Sequence, residues 1–84
     1  MRIYLVADND GFRESTAWLL ETAGFEPLAY ASGADFLAAY DGQRHGADDE
    51  CLVSDIRMPQ MSGLQLQEEL VRRGIRLPLV FVTA

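Results

Sequence analysis

Residues 51–63 read Cys-Leu-Val-Ser-Asp-Ile-Arg-Met-Pro-Gln-Met-Ser-Gly, and the rest of the chain is arranged around this stretch. Its first apolar residues are typical of a short buried strand, which ends on a carboxylate, Asp55. The Met-Pro pair that follows cannot continue a strand, and the Ser-Gly pair opens a helix. In open α/β sheets the chemistry lies at the carboxyl ends of parallel strands. The stretch therefore predicts Asp55 as a functional residue.

Length and composition limit the class of protein. The chain of 84 residues can form one small domain, and its hydrophobic content of 49% indicates a globular protein. The net charge of −6 argues against contact with nucleic acid in this segment, and no apolar run reaches the length of a membrane span. Because the first predicted strand follows Met1 almost at once, we expect no signal peptide, and the single cysteine, Cys51, cannot form an internal disulfide. We therefore expect a cytoplasmic setting, no membrane contact, and a buried cysteine rather than a reactive one.

The hydrophobic pattern predicts the order strand, helix, strand, helix, strand, helix, strand. Strands are predicted at residues 3–6, 26–30, 51–53 and 79–82, the last buried on both faces. Ser32 and Ser62 are predicted helix caps, and Gly24 a left-handed helix end. The predicted apolar stripes are Phe12, Thr16, Leu19 and Ala23 on the first helix and Leu64, Leu66, Leu70 and Val71 on the third. Helical crossovers between such strands favour a parallel α/β sheet wound in one direction.

Three polar side chains are predicted at the carboxyl edge of this sheet. Asp8 follows the first strand, Asp55 the third and Thr83 the fourth. Neighbouring carboxylates repel each other, and such a pair commonly holds a hard cation such as Mg²⁺. A hydroxyl beside them can donate a hydrogen bond to a phosphoryl oxygen, which suits phosphoryl transfer through a carboxylate. The structural alternative is that Asp8 caps the first helix and Asp55 caps a turn, and for either acid alone we would favour it. The three polar residues together favour a functional site.

Other polar residues have simpler interpretations. The acidic run Asp48, Asp49 and Glu50 has the composition of a metal site, but a solvated loop is the better interpretation, and the same holds for His45. Trp18 lies off the stripe of the first helix, so it either packs at an edge, which we favour, or faces a partner.

At three places the chain resembles the receiver domain of bacterial two-component response regulators. These are residues 5–10 (Leu-Val-Ala-Asp-Asn-Asp), residues 54–63 around Asp55, and residues 80–84 (Val-Phe-Val-Thr-Ala). The amino-acid sequences of residues 21–25 and 30–33 are most similar to those of the FixJ branch of this family. The resemblance covers the whole chain. It implies a flavodoxin-like doubly wound parallel sheet of strand order 2-1-3-4-5. Residues 1–84 would form a single partial receiver domain with four strands and three helices, truncated after the fourth strand and lacking the last helix-strand-helix.

The resemblance also implies roles for particular residues. Asp55 would accept a phosphoryl group from a sensor histidine kinase, and the domain would not itself be an enzyme. Mg²⁺ would be held by Asp8, Asp55 and the backbone carbonyl of Arg57. Thr83, followed by Ala84, would hydrogen-bond the phosphoryl group and act as the switch. The regulated output would be transcription, with DNA contacted only through an output domain outside this segment.

Two departures from the family pattern weaken these implications. The first member of the usual acidic pair is Ala7 here, which should weaken Mg²⁺ binding. The family's lysine has no counterpart, because all seven basic residues are arginines. With the fifth strand missing, the fourth becomes an unprotected edge. We therefore expect a homodimer or a higher assembly of this chain.

Two other functions fit parts of the sequence. A pseudo-receiver that binds partners without being phosphorylated is favoured by Ala7 and by the truncation. A haloacid-dehalogenase-like phosphatase is suggested by residues 8–11 (Asp-Asn-Asp-Gly), with Asp8 as nucleophile and Asp10 as acid/base. That class also needs a lysine, and it leaves Asp55 unexplained. Incorporation of phosphate on Asp55, on Asp8 or on neither residue separates the three.

Overall fold

Four strands and three helices alternate along the computed structural model, which describes residues 1–40 and 49–82. The elements are β1 (Arg2–Val6), α1 (Asp10–Thr22), β2 (Glu26–Tyr30), α2 (Gly33–Ala39), β3 (Glu50–Asp55), α3 (Gly63–Arg72) and β4 (Leu79–Val82). All strand pairs are parallel, in the order β2-β1-β3-β4. The predicted α/β fold and its strand order are therefore confirmed for these four strands. None of the helices within the described residues is long and apolar enough to cross a membrane.

The larger core lies on the sheet face that α2 and α3 cover. Alternate residues of a strand point to the same face. Tyr4 and Val6 of β1 therefore meet Leu52 of β3 there, and aromatic rings of α2 pack against them. The Tyr4 and Phe36 rings stand edge to face with their centroids 5.3 Å apart. The buried members of this core are Tyr4, Val6, Phe36, Leu37, Tyr40, Leu52, Leu66, Leu70 and Leu77.

The predicted helix ends are confirmed. The Ser32 hydroxyl accepts a hydrogen bond from the Asp35 backbone N–H, and Ser62 and Gln65 form a reciprocal capping box at α3. Gly24 takes a φ of 95°, the left-handed conformation expected just past a helix.

Some predicted apolar contacts are wrong. Of the apolar stripe predicted on α3, only Leu66 and Leu70 are buried. Leu64 and Val71 are exposed, because neither lies three or four residues from Leu66. Leu19 on α1 is exposed as well, and so is Trp18, at 62%. Trp18 is therefore largely open to solvent rather than packed at an edge.

The burial of β4 also differs from the prediction. Val80 is 51% exposed, and the other residues of β4 are only half-buried. The described residues do not cover the face of β4 from which Val80 projects, and β4 is also the last strand of the described sheet, with a neighbour on one side only. Its continuous apolar sequence therefore does not make it a strand buried on both faces.

Glu50 is part of the fold rather than of a solvated acidic loop, which corrects the prediction. It begins β3 and is buried. Its carboxylate accepts hydrogen bonds from the hydroxyls of Tyr4 at 2.8 Å and Tyr40 at 3.3 Å, and lies 3.5 Å from the Arg2 guanidinium. His45 and Asp48 lie outside the described residues.

Candidate functional site

Asp55 is the last residue of β3 and is only 7% exposed. Its strand runs between β1 and β4: Ser54 pairs with Val6, and Asp55 pairs with Val82. The fully buried Ser54 hydroxyl donates a hydrogen bond of 2.9 Å to the Asp55 carbonyl oxygen. The carboxylate therefore stands at the carboxyl edge of the sheet on a well-fixed backbone.

The turn between β1 and α1 (residues 7–9) presents Asp8 at the same edge. The Ala7 backbone N–H donates to the Tyr30 carbonyl oxygen at 3.2 Å, which extends the β1 pairing into the turn. Asn9 caps α1, and its side-chain oxygen accepts a 2.8 Å hydrogen bond from the Phe12 N–H. Since Asn9 fills the cap position, the alternative in which Asp8 serves only as the helix cap is wrong.

Two effects raise the pKa of Asp55 above its ordinary value. The larger is burial, which removes water from the charged form, and the second is the negative charge of Asp8. The Coulombic effect shows that the turn and β3 bring the two carboxylates close enough to interact. Asp8 follows β1 and Asp55 ends the neighbouring parallel strand β3, so both carboxylates lie at this edge of the sheet, and their roles stay a prediction.

The acidic pair fits a magnesium ion. Mg²⁺ is bound by one or two carboxylates and keeps several waters, so a dense cluster of protein ligands is not required. No group of three or more His, Cys, Asp or Glu suited to a metal occurs in residues 1–40 and 49–82. Asp8 and Asp55 would be the carboxylate ligands, and the backbone carbonyl of Arg57, on the loop directly after β3, is the further candidate.

The loop that follows Asp55 returns closely onto it. The Gly63 N–H donates a 2.8 Å hydrogen bond to the Ile56 carbonyl oxygen. A Cβ on Gly63 would overlap the Asp55 carbonyl oxygen and stand 3.0 Å from the Phe81 ring. Within the loop Gln60 takes a φ of 68°, in the left-handed region. The Met-Pro to Ser-Gly stretch thus packs the start of α3 directly against Asp55, and only glycine fits at the contact.

The remaining predicted site residues, Thr83 and Ala84, lie outside the described residues. Their assignment to the phosphoryl hydrogen bond and the switch stays a prediction. Cys51, predicted to be buried, is half-buried, and burial raises the pKa of its thiol. A raised pKa favours the protonated form, which is the less reactive one.

One residue near the acidic pair was not singled out by the sequence. The Arg13 guanidinium donates from Nη1 to the Ala7 carbonyl oxygen at 2.8 Å and from Nη2 to Asp10 Oδ1 at 2.6 Å. The spacing of Asp10 and Arg13 on a helix indicates the ion pair. No sequence spacing indicates the contact of Arg13 with the Ala7 carbonyl, because that contact depends on the path of the β1–α1 turn.

A wound parallel sheet with an acidic pair at its carboxyl edge defines a class of α/β proteins that bind ligands where the strand order reverses. The family model of the response regulator receiver domain matches residues 3–84. The chain therefore belongs to the response regulator receiver domain family.

Individual proteins support this assignment. The chain is 39% identical to the transcriptional regulatory protein TdiR of Thauera aromatica, covering 98% of this chain and 34% of TdiR. It is 38% identical to the transcriptional regulatory protein FixJ of Azorhizobium caulinodans, covering 96% of this chain and 36% of FixJ. The similarity to the FixJ branch is thereby confirmed. The chain spans about a third of the length of these two relatives.

A solved structure gives the same result for the fold. The response regulator protein TrrA from Thermotoga maritima, in complex with Mg²⁺ and BeF, matches with a TM-score of 0.82 and 25% identity. The match covers 99% of this chain and 69% of TrrA.

Proposed function

We propose that residues 1–84 form a single partial receiver domain in which Asp55 accepts a phosphoryl group from a sensor histidine kinase. The observation that carries this proposal is the placement of a buried carboxylate at the end of β3 with the charge of Asp8 acting on it. In the transfer, a carboxylate oxygen of Asp55 forms a bond to phosphorus while the bond from phosphorus to the donor nitrogen breaks. The domain is the acceptor and not an enzyme acting on a separate substrate.

Mg²⁺ is the cofactor that fits this site. Asp8 and Asp55 would hold it, with the Arg57 backbone carbonyl as the third protein ligand. When bound, the ion neutralises charge on the phosphoryl oxygens. The complex of TrrA with Mg²⁺ and BeF supports the assignment by similarity. The residues of this chain contribute the nucleophile, the carboxylate opposite it and the backbone that fixes both.

Labelling with acetyl phosphate and Mg²⁺, followed by mass spectrometry, tests the phosphoacceptor. We expect one phosphoryl group on Asp55, absent in Asp55→Asn and retained in Asp35→Asn. The latter variant removes a matched carboxylate from the exposed first turn of α2. Because the chain has no lysine, labelling should be slow, and the longer parent protein gives the larger signal. Label that persists unchanged in Asp55→Asn would refute the proposal, and label on Asp8 would indicate a phosphatase-like nucleophile instead.

A second candidate is a pseudo-receiver that binds partners without being phosphorylated. The observation that favours it is Ala7, which leaves the turn before α1 with one carboxylate fewer for Mg²⁺ than the family pattern has. A chain that takes up no label while its longer parent also takes up none would support this function over the phosphoacceptor.

Partners and location follow from the same proposal. The phosphoryl donor would be a histidine kinase, and the setting the cytoplasm. TdiR and FixJ are transcriptional regulatory proteins, so the output of this chain would be transcription through an output domain beyond this segment. Reading the gene beyond codon 84 tests the last point. The 84-residue chain itself would associate as a homodimer or a higher assembly.

A further inference from the structure

The Arg13 side chain is unusually enclosed for an arginine on a small protein. Its side chain is 17% exposed, whereas Arg72 of α3, which also forms an ion pair with an acid three residues earlier, is 71% exposed. Arg13 differs from Arg72 in making a second contact outside its ion pair, a hydrogen bond that it donates to the Ala7 carbonyl oxygen. Arg13 thus joins the first turn of α1 to the end of β1.

This contact acts on the peptide that carries Asp8. The Ala7 carbonyl belongs to the planar peptide unit between Ala7 and Asp8, so a bond to its oxygen restricts the orientation of the whole unit. On the far side of Asp8, the Arg13 backbone N–H donates 2.9 Å to the Asn9 carbonyl oxygen. That second bond is the first helical hydrogen bond of α1 and is made by the backbone, so the Arg13 side chain itself fixes the turn on the side before Asp8.

The ion pair with Asp10 does not explain this arrangement by itself. Asp10 is 80% exposed, and an ion pair with so much solvent around it contributes little to stability. The contact of Arg13 with the Ala7 carbonyl is the more enclosed of the two, since it is partly buried whereas the contact with Asp10 is exposed.

We propose that Arg13 is a positioning residue that fixes the β1–α1 turn so that Asp8 stays beside Asp55 and can bind Mg²⁺. The consequence for Mg²⁺ rests on the proposed function, whereas the ordering of the turn does not. The direction of the effect on Mg²⁺ distinguishes positioning from simple electrostatics. Loss of a positive charge near a cation site should tighten Mg²⁺ binding, while loss of positioning should weaken it.

The test uses the whole 84-residue chain and amide NMR. Arg13→Met removes both guanidinium contacts, Arg13→Lys retains one donor, and Asp10→Asn removes the ion pair while leaving the carbonyl contact. Arg72→Met is the matched control, because it deletes an arginine in a similar helical ion pair away from the site. Each variant is measured without metal for the backbone order of Asp8 and Asn9, and then titrated with MgCl₂.

We expect Arg13→Met to weaken Mg²⁺ binding by about tenfold, as removal of outer-shell partners does elsewhere. The order parameters of Asp8 and Asn9 should fall from the rigid value of about 0.85 toward about 0.6. Arg13→Lys should be intermediate, and Asp10→Asn and Arg72→Met close to wild type. If Arg13→Met does not fold, Arg13→Lys and Asp10→Asn carry the comparison, with weaker Mg²⁺ binding expected only in the former.

Unchanged or tighter Mg²⁺ binding in folded Arg13→Met or Arg13→Lys, with unchanged order at Asp8, would overturn the proposal. A lower thermal stability with unchanged Mg²⁺ affinity would show a structural role only and would overturn it too. If the wild-type chain binds no Mg²⁺, the metal assignment of the proposed function fails. The order of Asp8 and Asn9 then still decides whether Arg13 fixes the turn.

Discussion

At Asp55, burial and the charge of Asp8 both disfavour the ionised carboxylate. Its pKa in the folded state is therefore above the value of 3.8 of an unperturbed aspartate. In the interval between these two pKa values the folded state binds more protons than the unfolded state. The free energy of unfolding consequently falls as pH rises through that interval, and the loss is complete above the pKa of the folded state. The buried carboxylate of the candidate site thus destabilises the fold at pH values above its pKa.

Asp55→Asn should therefore stabilise the protein at pH 7, because a neutral side chain of similar shape replaces a buried charge. For each 1 kcal/mol gained, Tm should rise by about 4–8 °C. Thermal unfolding followed by circular dichroism at pH 3.5 and pH 7 measures the effect, which should shrink at the lower pH. Asp8→Asn relieves only the Coulombic part and should give a smaller rise. An Asp55→Asn variant no more stable than wild type at pH 7 would mean that the buried carboxylate is already compensated.

Ala7 offers a second test at the residue scale. Ala7→Asp adds a carboxylate beside the acidic pair and should tighten Mg²⁺ binding by about tenfold, equivalent to about 1.4 kcal/mol. The wild-type affinity should be weak, in the range of about 1 mM. Titration with MgCl₂ by amide NMR measures both values. Ala34→Asp adds the same charge at an exposed position of α2 and controls for net charge. Equal affinities in all three proteins would show that the first acidic position plays no part.

At the scale of elements, the packing of α3 against β3 depends on Gly63. Gly63→Ala places a methyl group against the Asp55 carbonyl oxygen, the Ile56 Cα atom and the Phe81 ring. The first two are backbone atoms, which cannot easily move aside. We expect a loss of about 3 kcal/mol in the free energy of unfolding, at the upper end of overpacking effects. Gly11→Ala on α1 is the control, since its Cβ would meet only Asn9 Oδ1 at an ordinary 3.5 Å. There alanine should stabilise the helix by about 0.5–1 kcal/mol. Urea unfolding of both variants gives the comparison, and equal stabilities would contradict the close contact.

The elements also show which features sequence patterns can predict. The caps at Ser32 and Ser62 and the strand that ends on Asp55 depend on residues close in the chain, and these predictions are confirmed. The burial of Glu50 could not be predicted, because its partners Tyr4 and Tyr40 come from β1 and from the end of α2. At the site, the placement of Asp8 and Asp55 at one edge of the sheet could be predicted from the order of the strands. The contact of Arg13 with the Ala7 carbonyl depends on the path of the turn, which the pattern does not contain.

At the scale of the whole molecule, the sheet is unevenly covered. The face under α2 and α3 holds the aromatic and aliphatic core, and Ile3 and Leu5 are buried on the opposite face, whereas several other apolar side chains are open to solvent. Among the described residues, the large exposed ones are Met1, Trp18, Leu19, Phe25, Leu28, Leu64, Val71 and Val80. Single exposed apolar residues are ordinary, but Val80 lies on β4, the terminal strand of the described sheet. A strand at that position offers unpaired N–H and C=O groups to another chain.

We therefore expect the 84-residue chain to associate in solution, with a second copy covering β4 and its exposed apolar side chains. A two-fold assembly is the simplest arrangement, because one self-complementary surface then serves both copies. Size exclusion coupled to light scattering at micromolar concentration should give at least twice the chain mass of 9.3 kDa. Val80→Lys places a charge on the β4 surface and should shift the population toward monomer, as inward or edge lysines do in natural sheets. Val71→Lys is the matched control, since Val71 is 74% exposed on α3, away from the sheet edge. A monodisperse wild-type monomer that unfolds cooperatively would show that the β4 edge is tolerated in water. Equal effects of the two lysine variants on the oligomeric state would show that the contact between copies lies elsewhere.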